Sequence, residues 1–478
     1  MKIRNFQLYN FGRFESLDVS LIGDQTKPVN VVVLVGNNGA GKTSILKALA
    51  TSLSWFVGRL RTGKSSGSPI GDHSIREGAV SSAIDIHIDN AVAGQESFGW
   101  TVARSRQGIK GGHSSALMDV AAMADHYRSQ LTTTSQSGLP LVAYYPVERS
   151  VLDIPLKVNK RNAFDQLVGY EDFLSPTVSF AKFFEWFRDR EDHENERGSQ
   201  VLASEGTREE FERLGGLVEA IDALASENKP SSDVQVLRTE VAKLRHAMKG
   251  LRDLSTPTWD PQLSAVRSAI EQFMPGFSHL RVQRKPSLQL VVDKDGLALN
   301  ILQLSQGEKS LMALVGDIAR RLAMMNPALE NPLQGQGIVL IDEVDMHLHP
   351  IWQREIIRNL TRTFPNCQFI LTTHSPLVIS DQPDVLVFSL NDGQLEKVPS
   401  QFGQDANTVL LDVMDTHIRN PKVGAKLNDA LDAIQAGRLS EAREIIAALD
   451  AQLPPSNLEL AKAKLFLRKQ ELRLEKDR

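Results

Sequence analysis

Val31-Val32-Val33-Leu34-Val35, followed by Gly36-Asn37-Asn38-Gly39-Ala40-Gly41-Lys42-Thr43, is the stretch that decides the fold. Five consecutive β-branched or apolar residues predict a strand buried on both faces. The next eight match G-x-x-x-x-G-K-[ST], the phosphate loop, and Ser44-Ile45-Leu46-Lys47-Ala48-Leu49-Ala50 reads as a helix. The motif therefore has the strand–loop–helix context its chemistry needs. Glycines at positions 36, 39 and 41 let the backbone curl with its N–H groups inward, and the helix N-terminus adds positive potential. Lys42 is expected to reach the β- and γ-phosphates of a nucleotide and the Thr43 hydroxyl to hold Mg²⁺. Asn37, Asn38, Gly39, Gly41 and Ser44 complete the expected cradle. The bland alternative is a glycine-rich turn before a helix.

Further along, Ile338-Val339-Leu340-Ile341 ends in Asp342-Glu343. A buried strand would hold both carboxylates in place, Asp342 supporting Mg²⁺ and Glu343 orienting or deprotonating the attacking water. Leu304-Ser305-Gln306-Gly307-Glu308-Lys309 precedes a helix with apolar Leu311, Leu314, Ile318 and Leu322. Ser305 and Glu308 form a capping box, which accounts for the pattern structurally. The same helix N-terminus, with the Ser305 hydroxyl and the Gly307 amide, also reads as an anion site. Thr372-Thr373-His374-Ser375-Pro376 follows another apolar strand and puts His374 where it can donate to a phosphate or hold water.

The bulk numbers fit an ordinary globular protein: 478 residues, 41% hydrophobic, 23% charged, net charge −4. Such a charge argues against wholesale coating of nucleic acid, though not against a local basic groove. No apolar run approaches the ~20 residues a membrane span needs. Met1-Lys2-Ile3-Arg4-Asn5 lacks the apolar region of a signal peptide. The lone cysteine, Cys367, reads as a small core residue. A cytoplasmic protein with no membrane partner is expected.

Organisation follows from periodicity. Ile3, Phe6 and Leu8, then Leu17, Val19 and Leu21, alternate around a turn at Asn10-Phe11-Gly12-Arg13-Phe14 and predict an antiparallel layer. Strands are expected within 83–89, 98–102, 139–145, 287–292, 337–341 and 368–372, with a helix over 351–364. Val385-Leu386-Val387-Phe388 is expected to close the sheet. Heptad seams at Phe211, Leu214, Val218, Ile221, Ala225 and at Val234, Leu237, Val241, Leu244, Met248, Leu251 predict an antiparallel helical hairpin. A projecting arm and two ordinary packed helices both satisfy the pattern. Four regions result: 1–177, an N-terminal lobe with the phosphate loop; 178–260, an inserted hairpin; 261–400, a second lobe; and 401–478, a helical region. In the last region, Ser456 with Glu459 can cap the final helix. Leu439, Ala442, Ile445, Ile446 and Leu449, with Leu458, Ala461, Leu465 and Leu472, mark apolar faces for a partner or for internal packing.

The order of these motifs resembles that of ABC-type ATPases. Asn38-Gly39-Ala40-Gly41-Lys42-Thr43, the Gln306-Gly307-Glu308-Lys309 variant and the inserted helices resemble the RecF/SMC/OLD branch. Leu340-Ile341-Asp342-Glu343-Val344-Asp345-Met346-His347-Leu348-His349-Pro350-Ile351-Trp352-Gln353 and Phe184-Glu185-Trp186-Phe187 resemble PtuA-type Septu anti-phage ATPases and their retron-associated relatives. The resemblance implies an α/β fold, an ABC-type (RecF/SMC-like) P-loop ATPase head with an inserted hairpin arm and an all-helical C-terminal region. It implies ATP and Mg²⁺, and a head-to-head dimer, or a higher oligomer built on it. There Ser305, Gln306 and Gly307 of one copy would close on ATP held by the other, with Asp345 near the interface. Arg13 would lie near the base or phosphates, with Arg149 a second candidate, and no residue is assigned to the glutamine loop. His347 and His349 would be structural in this loop, although their spacing also suits a metal. The hairpin lacks a Cys-x-x-Cys hook, so zinc-mediated pairing is not expected.

The same resemblance implies a defence ATPase that regulates a separate HNH nuclease, with nucleic acid or a reverse transcriptase and its retron DNA as further partners. The rival is a RecF/SMC-like DNA-repair or chromosome-associated ATPase, supported by the hairpin and by Arg281, Arg284 and Lys285. A transporter motor fits neither the hairpin nor the Gln306-Gly307-Glu308-Lys309 variant.

Overall fold

The structure, a computed structural model, describes residues 1–23, 27–92, 95–108, 112–134, 137–147, 165–174, 180–202, 260–414, 416 and 419–476. They form two compact units, Met1–Phe402 and Gly403–Arg478. The two heptad segments and Arg149 lie outside the described residues.

The first unit opens with a hairpin of β1 (Lys2–Phe11) and β2 (Phe14–Ser20), paired Phe6 to Val19 and Leu8 to Leu17. The alternation read from the sequence puts Ile3, Phe6 and Leu8 on the buried face. β3 (Val31–Gly36) is buried at every residue, as its unbroken apolar run requires. α1 (Lys42–Arg61) follows. β4 (Ser81–Val92) and β5 (Gln95–Ser105) extend the hairpin into a four-stranded antiparallel sheet of order β2-β1-β4-β5. α2 (Met118–Thr133) has no counterpart in the sequence reading. Its buried stripe is only Val120, Met123, Ala124 and Tyr127 amid polar residues, so its helical period is weak.

Next come β6 (Leu141–Tyr145), α3 (Phe180–Leu202), α4 (Pro261–Phe273) and the antiparallel trio β7 (Phe277–Gln283), β8 (Gln289–Lys294) and β9 (Leu297–Asn300). α5 (Gln306–Met325), β10 (Gly337–Ile341), α6 (Pro350–Thr363), β11 (Cys367–Thr372), the single turn α7 (Pro376–Ser380), β12 (Leu386–Asn391) and β13 (Gln394–Val398) complete the unit. The main sheet has the order β13-β12-β3-β11-β10-β6. All its pairs are parallel except β12 with β13. β12 therefore does not close the sheet, because the antiparallel β13 lies outside it. The fully buried segments Val31–Gly36, Gly337–Ile341 and Cys367–Thr372 are its middle strands. α1 packs between the two large sheets, against β1 and β4 on one side and β3, β6, β10 and β11 on the other.

α5 is buried almost all round, from Gly307 to Met325, as its apolar composition demands. One of its turns carries a buried ionic cluster. Asp317 accepts from Arg320 at 2.6 Å, from Arg321 at 2.7 Å and from the Tyr145 hydroxyl at 3.0 Å. Phe184, Trp186 and Phe187 of α3 are core residues. A second network ties α3 to α4, the helices flanking residues 203–259, with Arg267 donating to Glu191 at 3.1 Å and Glu194 at 2.9 Å. The first unit is thus an α/β head in which a glycine-rich loop follows a central parallel strand and an antiparallel sheet lies across the helix that comes next.

The second unit is helical: α8 (Ala406–Asp412), α9 (Pro421–Gln435), α10 (Leu439–Asp450) and α11 (Leu458–Lys476). Its core joins Leu427, Ala430 and Ile434 to Ala442, Ile446 and Leu449 and to Leu460, Ala463 and Leu467, with Leu439 and Ile445 packed against them. On α10 the apolar face read from the sequence therefore packs internally. On α11 the buried stripe is Leu460, Ala463 and Leu467, while Leu458, Ala461, Leu465 and Leu472 are exposed. Two apolar stripes interleave on that helix, and spacing alone cannot choose between them. Asn457, not Ser456, caps it, accepting from the Leu460 amide at 3.0 Å.

Candidate nucleotide site

β3, β10 and β11 run parallel and end together, so Gly36, Asp342 and Thr372–His374 meet at one edge of the sheet. Ligands of open α/β sheets bind at this edge, outside the carboxyl ends of the strands. Gly41 closes the phosphate loop at φ 112°, where an L side chain is strained. A Cβ there would also lie 2.7 Å from the Phe14 ring. The contact brings the β1–β2 turn onto the loop, and Arg13 donates to the Gly39 carbonyl at 2.7 Å.

Lys42 is 6% exposed, and its ammonium donates to the Gly36 and Asn37 carbonyls at 2.8 and 3.1 Å. Burial lowers its pKa, while Asp342, Glu343 and Asp345 pull the other way. Three carboxylates thus share the field of one ammonium. Thr43 and Ser44 sit in the first turn of α1, and Asn37, Asn38 and Gly39 are exposed.

Asp342 is 1% exposed and held from both sides. Its amide donates to the Tyr145 carbonyl at 2.9 Å, and its carboxylate accepts from the Thr372 hydroxyl at 2.5 Å. Thr372 also accepts from the Glu343 amide at 2.7 Å. Glu343 adopts a left-handed φ of 45°, a conformation non-glycine residues rarely take and which clusters at functional sites. Asp345 accepts from the Thr373 hydroxyl at 2.5 Å and the His374 amide at 3.3 Å. Ser375 caps α7 through the Leu377 amide, and this places the exposed His374 at the strand end.

The capping box of α5 is complete. The Ser305 amide donates to Glu308 at 2.8 Å and the Glu308 amide to the Ser305 hydroxyl at 3.3 Å. Burial acts to raise the Glu308 pKa, but Lys294 and the Ser305 amide outweigh it and hold the carboxyl below its ordinary value. Ser305 and Gln306 are exposed. Gly307 lies against the 345–349 loop, where a Cβ would meet the His347 carbonyl at 2.3 Å. Among the described residues no hydrogen bond joins Ser305–Gly307 to the phosphate loop. The structure thus gathers Arg13, Gly36–Ser44, Asp342, Glu343 and His374 at one end of the sheet. It ties Gly307 to the loop that follows Glu343.

His349 caps α6 through its Nδ1, which accepts from the Ile351 amide at 3.4 Å. Among the described residues no cluster of three His, Cys, Asp or Glu side chains could hold a metal unaided. The hydroxyl of Thr43 and the carboxylate of Asp342 are hard oxygen donors. They suit Mg²⁺, which usually completes its shell with water and substrate phosphate. Acids answer part of the basic cluster weighed for DNA binding. Arg281 bonds Asp293 at 2.8 Å, and Arg284 bonds Asp192 at 2.5 Å and Glu191 at 3.3 Å. Sequence reasoning missed Thr372, Tyr145 and Lys294 as supports of the site. A hydroxyl closing the strand after Phe369-Ile370-Leu371 was the one signal available, at Thr372.

A family model described as an AAA domain matches residues 1–253, and a second AAA-domain model, described with an AbiEii toxin of a type IV TA system, matches residues 150–380. The chain is 33% identical to the Retron Ec83 probable ATPase of Escherichia coli over 98% of its own length and 87% of that protein. It is 32% identical to the Retron Vc95 probable ATPase of Vibrio cholerae over 87% of its length and 79% of that protein. The Septu protein PtuA of Bacillus mycoides matches at 39% over a shorter stretch, 22% of this chain and 15% of that one. An Smc head domain from Pyrococcus furiosus, solved bound to the C-terminal domain of ScpA, aligns with a TM-score of 0.42 at 15% identity, over 83% of this chain and 96% of that one.

Proposed function

Because the chain belongs to the AAA-domain ATPases that include the retron Ec83 and Vc95 probable ATPases, we propose that it is the ATP-hydrolysing subunit of an anti-phage defence system. In this reading it acts as a head-to-head dimer and regulates a separate HNH-type nuclease. The observation that carries the reading is the single constellation at the sheet edge, Lys42 facing Asp342, Glu343 and Asp345 beside Arg13. The outward-facing Ser305 and Gln306 support the dimer, since they are free to meet a nucleotide held by another copy.

The roles follow from chemistry. Lys42 and the amides of Asn37–Ser44 bind the phosphates, and Arg13 steadies the loop through Gly39. Thr43 and Asp342 would hold Mg²⁺, which when bound neutralises phosphate charge. Glu343 orients or deprotonates water, and His374 donates a hydrogen bond to the γ-phosphate. Ser305, Gln306 and Gly307 complete the site in trans.

The test is to tag the protein in its genomic context, ask whether a neighbouring nuclease co-purifies, and challenge cells with phage. A protein that always elutes alone and leaves infection unaffected sinks the proposal. Lys42→Ala should abolish nucleotide binding. Glu343→Gln should bind ATP, turn over slowly and accumulate as a closed dimer.

A further inference from the structure

We propose that Lys294 is a positioning residue for the Ser305–Gly307 segment: it holds Glu308 in the capping box and offsets its charge where a second copy's nucleotide phosphates approach. This rests on the two-copy reading above. Lys294 ends β8, outside the helix it serves, and its ammonium donates to Glu308 Oε1 at 2.6 Å. The other oxygen, Oε2, accepts from the Ser305 amide at 2.8 Å. One carboxylate therefore joins β8 to the start of α5. The same strand anchors the preceding turn, with Asn300 donating to Gln289 at 2.5 Å. Lys294 also lies 5.6 Å from the centre of the Phe277 ring, which limits where its ammonium can go.

The charge argument follows from the cap itself. A carboxylate in the first turn satisfies an orphan amide and suits the helix dipole. That same negative charge repels an incoming polyphosphate. Glu308 is only 8% exposed, so water screens it poorly. With Lys294 paired to it the local charge is near zero, and the helix N-terminus remains attractive to an anion. A glutamine at position 308 could close the same box without the charge.

The experiment measures ATP-driven assembly by sedimentation velocity, in a Glu343→Gln background with Mg²⁺ at moderate salt. Lys294→Met is expected to weaken assembly about tenfold, since each uncompensated charge contact near a phosphate is of that order. Its affinity for a fluorescent ATP analogue, read below the assembly concentration, should stay within about twofold of the parent. Lys294→Arg should restore assembly, as should Glu308→Gln added to Lys294→Met. Lys294→Gln repeats the measurement if the methionine variant melts early. Normal assembly of Lys294→Met overturns the proposal, and so does a double variant as weak as the single one, because a mere strut is not rescued by removing the charge. If the parent itself fails to assemble with ATP, the two-copy reading falls first and this inference with it.

Discussion

Replacing Asp317 by Asn should loosen α5 from the sheet. Asp317 is 3% exposed and its two neighbours, Arg320 and Arg321, are 4% and 8% exposed. Arg321 also donates to the carbonyls of Gly169 at 2.6 Å and Glu171 at 3.1 Å. Asn keeps the shape but removes the carboxylate that both buried guanidinium groups hydrogen-bond. Breaking a buried pair in this way costs about 3–5 kcal/mol. In a unit of about 400 residues that corresponds to a melting temperature lower by roughly 4–6 °C.

The assay is thermal unfolding followed by tryptophan fluorescence. A control replaces Asp317, Arg320 and Arg321 together by apolar residues of similar volume, and should regain most of the loss. The pH dependence has a definite sign. Burial would raise the Asp317 pKa, but Arg321 and Arg320 outweigh it and hold it below the ordinary carboxylate range. A depressed folded pKa contributes stability that is fully present above the unfolded value of about 4 and is lost as pH falls further. Wild-type protein should therefore lose its advantage over Asp317→Asn below that pH. An unchanged melting temperature for Asp317→Asn at neutral pH would refute the reasoning.

Three further outcomes are expected. Gly307→Ala gains about 1 kcal/mol of helix propensity but overpacks against the His347 carbonyl, 2.3 Å from the new Cβ, at about 1–3 kcal/mol. Melting should change little while ATP turnover falls about tenfold, and normal turnover would mean that this contact does not set the position of Ser305–Gly307. Thr372→Val is nearly isosteric and removes the bonds to Asp342 (2.5 Å) and the Glu343 amide (2.7 Å). Turnover should drop more than ATP affinity, and an equal drop in both would argue against a positioning role. Cys367 is buried, with its thiol pushed up to about 12 by burial, so Ellman's reagent should react with it at pH 8 only after denaturation. Prompt labelling of the native protein would show that β11 opens readily.

The sequence by itself determined the local pieces whose signal is carried by neighbouring residues. Five apolar residues before a glycine loop forced a buried strand, because only burial on both faces accommodates them. Ser305 and Glu308 formed their capping box as read, since a cap needs only residues three apart. The phosphate loop was legible for the same reason. Partners distant in the chain were not. Thr372 reaches Asp342 across 30 positions, Tyr145 reaches Asp317 across 172, and Arg13 reaches Gly39 only because a hairpin folds onto the loop. Lys294 belongs with them, since nothing in a strand ending in Lys marks the carboxylate it will meet. On α11 the sequence offered two apolar stripes, and packing against α9 and α10 chose Leu460, Ala463 and Leu467. Periodicity and capping act over a few residues and can be read along the chain. The choice of buried face, and the pairing of charges from different elements, depend on which surfaces meet, and only the tertiary structure decides that.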